Sequence, residues 1–163
     1  MTNSSTRANA LAERLLLGAN TLATFAEGLS DSEWRKPVLG DGRTIGVVIH
    51  HVAYVYPLEI ELAKVLASGK PITEATMDGI NQMNAEHAQE FANVNKQEAI
   101  ALLRQNSKIA ADSVRTFTDA ELDQSATVSL NANAPLTAQF FIEDHALRHS
   151  FHHFNAIKKT IKK

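Results

Sequence analysis

Histidine is the residue type whose spacing most clearly suggests chemistry in this chain. Four of the seven histidines fall between His145 and His153, and a further pair stands at His50 and His51. Imidazole can bind a divalent metal ion, transfer protons near neutral pH or serve as a hydrogen-bonded core residue. The chain has no cysteine, which excludes disulfides, thiolate metal sites and a cysteine nucleophile. Any metal ion must therefore be held by imidazole, carboxylate or water.

Helical geometry separates the two neighbouring histidines. A helix is predicted after Thr44, and at about 100° per residue its apolar side chains between Val47 and Leu66 form one arc. His51 falls near the middle of this arc, whereas His50 falls outside it. We therefore expect His51 to face the interior and His50 to face the solvent.

The last predicted helix supplies the other inward-facing histidines. His149 and His153 are four residues apart, so one lies a turn above the other on the apolar half of the helix. His145 and His152 fall toward a polar strip, which places them at the surface or at a pocket rim. Three inward imidazoles from two helices can converge on one divalent ion and leave positions open for water or substrate. The alternative is that each inward histidine is a hydrogen-bonded core residue without metal.

Four long helices would position these side chains. They run from about Thr6 to Glu27, from Thr44 to near Gly69, from a cap at Asn93 or Asn95 toward Phe117, and from the cap Thr137 to the basic tail. The spacing of Ser30 with Glu33, and of Thr118 with Glu121, predicts capping boxes that open two short helices.

The remaining segments complete a helical architecture. The stretch from Thr73 to Ala92 is predicted to be partly helical, and residues 125–135 to form a short extended piece or a loop. Ile109 and Phe140 are expected on the inward faces of the third and fourth helices. We predict one domain over residues 1–163, an all-α four-helix bundle with long crossover connections.

Composition limits the classes of partner. Of the 163 residues 44% are hydrophobic and 21% charged, as in an ordinary globular protein, and the formal net charge is −2. This charge gives no electrostatic reason to expect nucleic acid. No apolar run approaches the roughly 20 residues of a membrane span, and charged residues interrupt the N-terminal region where a signal peptide would be apolar. We therefore expect a cytoplasmic protein with neither nucleic-acid nor membrane partners.

Four segments carry a family resemblance. Two contain the inward histidines: Thr44-Ile-Gly-Val-Val-Ile-His-His51-Val-Ala53 and His149-Ser-Phe-His-His153-Phe-Asn-Ala-Ile157. Between them stand Ile80-Asn-Gln-Met-Asn-Ala-Glu-His-Ala88 and Thr118-Asp-Ala-Glu-Leu122. In this order and spacing the chain resembles the DinB-like (DinB/YfiT) family of four-helix-bundle proteins over nearly its whole length.

The resemblance implies a function that the spacing alone does not supply. It implies metal ligation by His51, His149 and His153, with zinc or nickel as the first candidates and iron or manganese as further ones. It also implies a homodimer and a thiol-dependent reaction, in which a low-molecular-weight thiol is transferred to a small electrophilic substrate; hydrolysis of such a substrate is the other reaction considered. The alternative is a non-catalytic, stress-related dimer that binds a metal or ligand. No catalytic residue beyond the ligands is assigned.

Two features near the ligands bear on the shape of the pocket. Many members of the family have a tryptophan where Gly40-Asp-Gly-Arg43 stands here, so we expect a different pocket rim with the same ligands. Glu59 lies two helical turns from His51 and is expected to be a partly solvated residue too distant to be a fourth ligand.

The angular assignment predicts which histidines hold the metal. We expect His51→Ala, His149→Ala and His153→Ala each to lower the bound metal to below about a tenth of the wild-type content, because each removes one of three ligands. His50→Ala and His152→Ala should leave the metal content near that of the wild type. Elemental analysis of the purified variants measures this, and equal losses in all five would contradict the assigned helical angles.

Overall fold

The computed structural model describes residues 5–162 of the chain. Within this range there are eight α-helices and one small hairpin. In chain order the elements are α1 (Thr6–Glu27), α2 (Asp31–Trp34), α3 (Ile45–Ala67), α4 (Met77–Glu90), α5 (Lys96–Arg115), α6 (Asp119–Asp123), β1 (Ser125–Val128), β2 (Ala134–Thr137), α7 (Ala138–Ile142) and α8 (Arg148–Ile161). A π turn over Glu143–Leu147 joins α7 to α8.

Side-chain caps begin five of the helices at the positions that the sequence predicts. The Thr44 hydroxyl accepts from the backbone N–H of the third residue after it at the start of α3, and Thr137 does the same before α7. Asn95, rather than Asn93, caps α5. Both predicted capping boxes form, one at Ser30 and the other at Thr118. Each such cap stabilises its helix by about 1 kcal/mol, so local sequence alone sets most helix starts.

The four long helical units are α1, α3, α5 and the continuous α7–α8 segment. Helix α5 packs against both α1 and α3, and α8 packs against the same two helices. The order around the bundle is therefore α1, α5, α3, α8, and the connections from α1 to α3 and from α5 to α8 join opposite corners. This arrangement confirms the predicted four-helix bundle with long crossover connections.

One continuous hydrophobic core fills the bundle, and α3 contributes much of it. Helix α3 is long and apolar enough by composition to cross a membrane, but 67% of its most apolar window is buried inside the bundle, as expected for a core helix. The inward stripe of α5 runs through Leu103, Ala110 and Val114. Ile109 lies off this stripe and is 56% exposed, so its predicted inward position is wrong.

The π turn explains a second error in the predicted core. A π turn takes more residues per turn than an α-helix, so the residues before it are rotated by about 90° from the angles of an unbroken helix. Phe140, predicted to face inward, is 47% exposed, and Phe141 is buried in its place. Helix α8 begins after the π turn, so its own predicted angles are unaffected.

The hairpin is more regular than the loop or extended piece expected for residues 125–135. Strand β1 pairs antiparallel with β2, and Ala132 and Asn133 adopt left-handed backbone angles in the turn between them. The N–H of Ile72 donates to the carbonyl of Thr127 at 2.9 Å, and the N–H of Ser129 donates to the carbonyl of Ile72 at 2.9 Å. The hairpin thereby anchors the connection between α3 and α4.

Helices α1 and α8 approach each other closely at Gly18. A Cβ atom at this position would lie 2.3 Å from Ser150 Oγ and 2.9 Å from a ring carbon of Phe151. A side chain larger than hydrogen would therefore push α8 away from α1, and α8 carries two of the three inward histidines.

We expect Gly18→Ala to destabilise the protein by about 1–3 kcal/mol, as overpacking in a core does. In an open helix the same change would stabilise by roughly 1 kcal/mol. Gly28→Ala is the matched control, because a Cβ there would meet the Phe25 carbonyl oxygen at an ordinary 3.6 Å. Urea denaturation of both variants measures the difference, and a Gly18 variant as stable as the control would show that this contact does not set the helix spacing.

Candidate metal centre

The structure brings together the three histidines that the helical angles select. The Nε2 atom of His149 lies 3.2 Å from Nε2 of His51 and 3.0 Å from Nε2 of His153. One ligand atom from each residue falls within 4.8 Å of the others. His51 and His153 are buried, with 6% and 7% of their surface exposed. Two helices that are far apart in sequence thus present three ring nitrogens to one point.

The spacing of these nitrogens fits a metal ion. Ligands at the usual zinc–nitrogen distance of about 2.1 Å in a tetrahedral site lie about 3.4 Å apart, close to the two distances seen here. Three imidazoles form a donor set suited to zinc, nickel or iron and leave coordination positions for a further ligand. The group could therefore hold a divalent ion, although its identity does not follow from the geometry.

Burial keeps two of these imidazoles neutral, which is the form that binds metal. Burial lowers the pKa of His51 to about 2, with further contributions from His149 and from the Arg43 guanidinium. Burial, followed by the neighbouring His149, lowers the pKa of His153 to about 3. At neutral pH both rings carry a free lone pair, so an ion does not compete with a proton for them.

Glu59 lies closer to the site than its distance along α3 from His51 suggests. Its Oε1 atom is 3.1 Å from Nδ1 of His149, and only 11% of its side chain is exposed. The angle is not that of a well-aligned hydrogen bond, so the contact is electrostatic. A carboxylate at this point favours a proton on Nδ1 and leaves Nε2 free for a metal, the arrangement found behind many metal-bound histidines. The expectation of a partly solvated Glu59 without a role is corrected by this contact.

His50 does not face the solvent as the helical angle predicts. It is 6% exposed, its Nδ1 lies 2.8 Å from Nε2 of His87, and its ring stacks on Phe91 at a centroid distance of 4.0 Å. The prediction is wrong because α4 and the residue after it cover this side of α3. Burial lowers the pKa of His87 to about 4, and its ring contacts His51 edge to face at 5.6 Å. The periodicity of α3 could not predict the contact between His50 and His87, because His87 is on α4.

His145 and His152 lie at the rim of a pocket, as their helical angles predict. The His145 side chain is 28% exposed and stacks on Phe141 with 4.2 Å between ring centroids. Its Nε2 atom is buried without a hydrogen-bond partner. His152 is exposed. Both line a cavity of about 340 Å³ that also reaches His51 and His149, so the three-histidine cluster opens onto a space of small-molecule size.

The loop of residues 40–43, directly before the N-cap of α3, holds an ion pair. Gly40 and Gly42 adopt positive φ angles of 79° and 86°, which glycine tolerates without strain. Asp41 lies between the two glycines and Arg43 follows them. The Asp41 carboxylate accepts two hydrogen bonds of 2.7 Å from the Arg43 guanidinium. The hydrogen bond from Arg43 lowers the pKa of Asp41. The positive charge of Arg43 lowers the pKa of nearby His153, and the negative charge of Asp41 raises it. The loop therefore borders the cluster without adding a ligand to it.

We expect Glu59→Gln to weaken metal binding by about 10- to 100-fold, because loss of a carboxylate behind a metal-bound histidine has this effect. Glu61→Gln is the matched control, since Glu61 is on the same helix, with 68% of its side chain exposed. Competition with a chromogenic chelator measures both affinities. Equal affinities would show that Glu59 does not support His149.

The stability of the metal-free protein should fall as the pH drops below neutrality. An imidazole titrates near pH 6.5 in the unfolded chain, whereas His51 and His153 stay neutral in the folded chain to about pH 2 and 3. Below pH 6.5 the unfolded state therefore binds more protons, which costs up to about 1.4 kcal/mol of stability per pH unit for each histidine. Urea unfolding with a chelator present, from pH 7.5 to 4, measures this loss. His153→Gln should reduce the slope, and a slope equal to that of the wild type would contradict the assignment.

Comparison with known proteins agrees with this architecture. The family model of the DinB superfamily matches residues 14–157. Among solved structures, YfiT from Bacillus subtilis superposes with a TM-score of 0.76 at 17% sequence identity, covering 99% of this chain and 90% of that one. That protein is described as a probable metal-dependent hydrolase with an unusual four-helix bundle topology. No curated protein matches the chain in sequence. Since the family model covers most of its length, the chain belongs to the DinB superfamily.

Proposed function

We propose that this protein is a divalent-metal-dependent enzyme that directs a small nucleophile onto an electrophilic carbon of a small substrate. The observation that carries the proposal is the meeting of three imidazole nitrogens from two helices beside a cavity. The description of YfiT as a probable metal-dependent hydrolase supports the use of a metal. The nucleophile is a low-molecular-weight thiol or water, and the thiol is a cosubstrate because the chain has no cysteine.

The residues of the cluster have distinct parts in this scheme. His51, His149 and His153 hold the ion, with zinc and nickel as the first candidates. The bound ion supplies Lewis acidity, which lowers the pKa of a nucleophile beside it. Glu59 fixes the orientation of His149 through its contact with Nδ1. The buried rings of His51 and His153 hold their positions through packing inside the bundle.

His145 is the group best placed to accept a proton in the cavity. Burial lowers its pKa, an effect that the nearby Glu59 and Asp144 carboxylates oppose, so it is neutral at pH 7. Its Nε2 makes no hydrogen bond, and the Asp144 carboxylate lies 3.8 Å from it. In this proposal Nε2 takes the proton that the nucleophile loses and returns it to the leaving group. Such a step contributes about 10²- to 10⁴-fold to the rate in other enzymes.

We expect turnover only in metal-loaded protein. The test loads the chain separately with zinc, nickel, iron and manganese. It then measures conjugation of 1-chloro-2,4-dinitrobenzene with several thiols and hydrolysis of p-nitrophenyl esters. His51→Ala should lose at least about 100-fold because it removes a ligand, and His145→Gln should lower kcat while keeping its metal. Glu61→Gln, exposed on the same helix as His51, should retain full activity.

The outcomes separate the alternatives. Conjugation without hydrolysis would assign the thiol reaction, and the reverse would assign the water reaction. Metal binding without any turnover would favour the non-catalytic binding role, and unchanged turnover in His51→Ala would overturn the metal-dependent proposal. The homodimer implied by the family resemblance stays a prediction, which light scattering of the purified protein tests.

A further inference from the structure

The cavity beside the three histidines has walls of two different chemical kinds. The wall made by residues 144–152 is mostly polar and includes Asp144, Arg148 and the ligand His149. The walls made by α3 and α4 are mostly apolar and include Leu62 and Met83. This division follows from the order of the helices around the bundle. A ligand that fills the cavity must therefore present a polar group to one side and an apolar body to the other.

Exposed apolar side chains stand among the residues of this cavity. Leu58 of α3 is 41% exposed and Met77 of α4 is 58% exposed, and both line the cavity. Isolated exposed apolar residues are ordinary, but two from different helices lining one concave site mark a surface that a ligand covers. Phe141, which the π turn rotates inward, adds an aromatic face.

The volume and the side chains indicate the size and shape of that ligand. The cavity of about 340 Å³ corresponds to roughly 11 water molecules at the density of the liquid, so it accommodates about ten to twelve non-hydrogen atoms. Met77 and Met83 of α4 are flexible and polarizable, and methionine commonly lines sites that accept varied apolar shapes. Helix α4 is well suited to adapt, because His87 is its only buried residue within the described part of the chain.

We propose that the substrate is an amphiphilic small molecule with an aliphatic or aryl-alkyl body of about eight carbons, whose single polar reacting group meets the histidines. The inference rests on the proposed function for the reacting end, and on the cavity alone for the apolar end. Ile80, Met83 and Leu62 then determine how long a body the site accepts. Sugars, nucleotides and small dianions, whose polar groups would face the apolar walls, are disfavoured.

The test uses straight-chain hydroxamic acids, which carry one metal-binding head and an alkyl tail of chosen length. Calorimetric titration of the zinc-loaded protein should show affinity rising about three- to fourfold for each added methylene, the effect of burying one. The rise should stop near eight carbons, where the cavity is full. A series without dependence on tail length would overturn the proposal.

Variants locate the tail. Met83→Trp fills the apolar side and should weaken octanohydroxamate about 10- to 60-fold, the loss of two to three buried methylenes, while changing acetohydroxamate less than about twofold. Ile109→Trp is the matched control, because Ile109 is 56% exposed on α5 and does not line the cavity. If Met83→Trp fails to fold, Met77→Asp at the exposed start of α4 should weaken long tails selectively. Equal losses for short and long tails would contradict the assignment.

A metal-free measurement separates this proposal from the metal chemistry. Two of the three methionines line the cavity, so methyl-labelled methionine gives direct NMR signals from its apolar side. Titration of the chelator-treated protein with 1-octanol should shift the Met77 and Met83 methyl signals, which Met→Leu variants assign. Shifts without any hydroxamate binding would leave the apolar site standing and reject the metal-based function. Zinc-dependent acetohydroxamate binding without methyl shifts would support the metal-based function and reject the apolar site.

Discussion

The structure depends on an imidazole cluster in which Nε2 of the half-buried His149 lies 3.2 Å from Nε2 of the buried His51 and 3.0 Å from Nε2 of the buried His153. A buried imidazole is costly unless its ring nitrogens find partners, so the cluster requires α3 and α8 to be held at a fixed spacing and rotation. The close approach of α1 to α8 at Gly18 and the packing of α8 against α3 meet that requirement. The packing of the bundle therefore fixes the relative positions of the three histidines.

Groups behind the cluster determine how its rings are oriented. Glu59 contacts the far nitrogen of His149, and the pair of His50 with His87 packs beside His51. The Asp41–Arg43 ion pair borders the other side. The contacts of Glu59 with His149 and of His50 with His87 join elements distant in sequence, whereas the ion pair lies within one loop. The result is a layered site in which burial keeps the rings of His51 and His153 neutral and the outer groups limit the movement of the cluster.

The packing of the helices also determines which side chains line the cavity. Residues 144–152 supply most of the polar side chains of the cavity, and α3 and α4 supply most of the apolar ones. The π turn contributes by bringing Phe141 inward and leaving Phe140 outside. π turns are rare in helices and frequently lie at functional sites, and this one directly precedes the helix that bears His149 and His153. Its effect here is on the cavity wall rather than on the ligands.

The sequence by itself determined most helix starts, the all-α bundle, and the inward direction of His51, His149 and His153, because capping contacts and helical periodicity act within one element. Only the tertiary structure decided the burial of His50, which depends on α4 lying over α3. It also decided that Phe141 is buried and Phe140 is exposed, since a single π turn rotates the inward face of the helix before it. The contact of Glu59 with His149 likewise required the packing of two helices separated by some ninety residues. Such contacts depend on how separate elements pack against one another, which the periodicity of a single helix cannot predict.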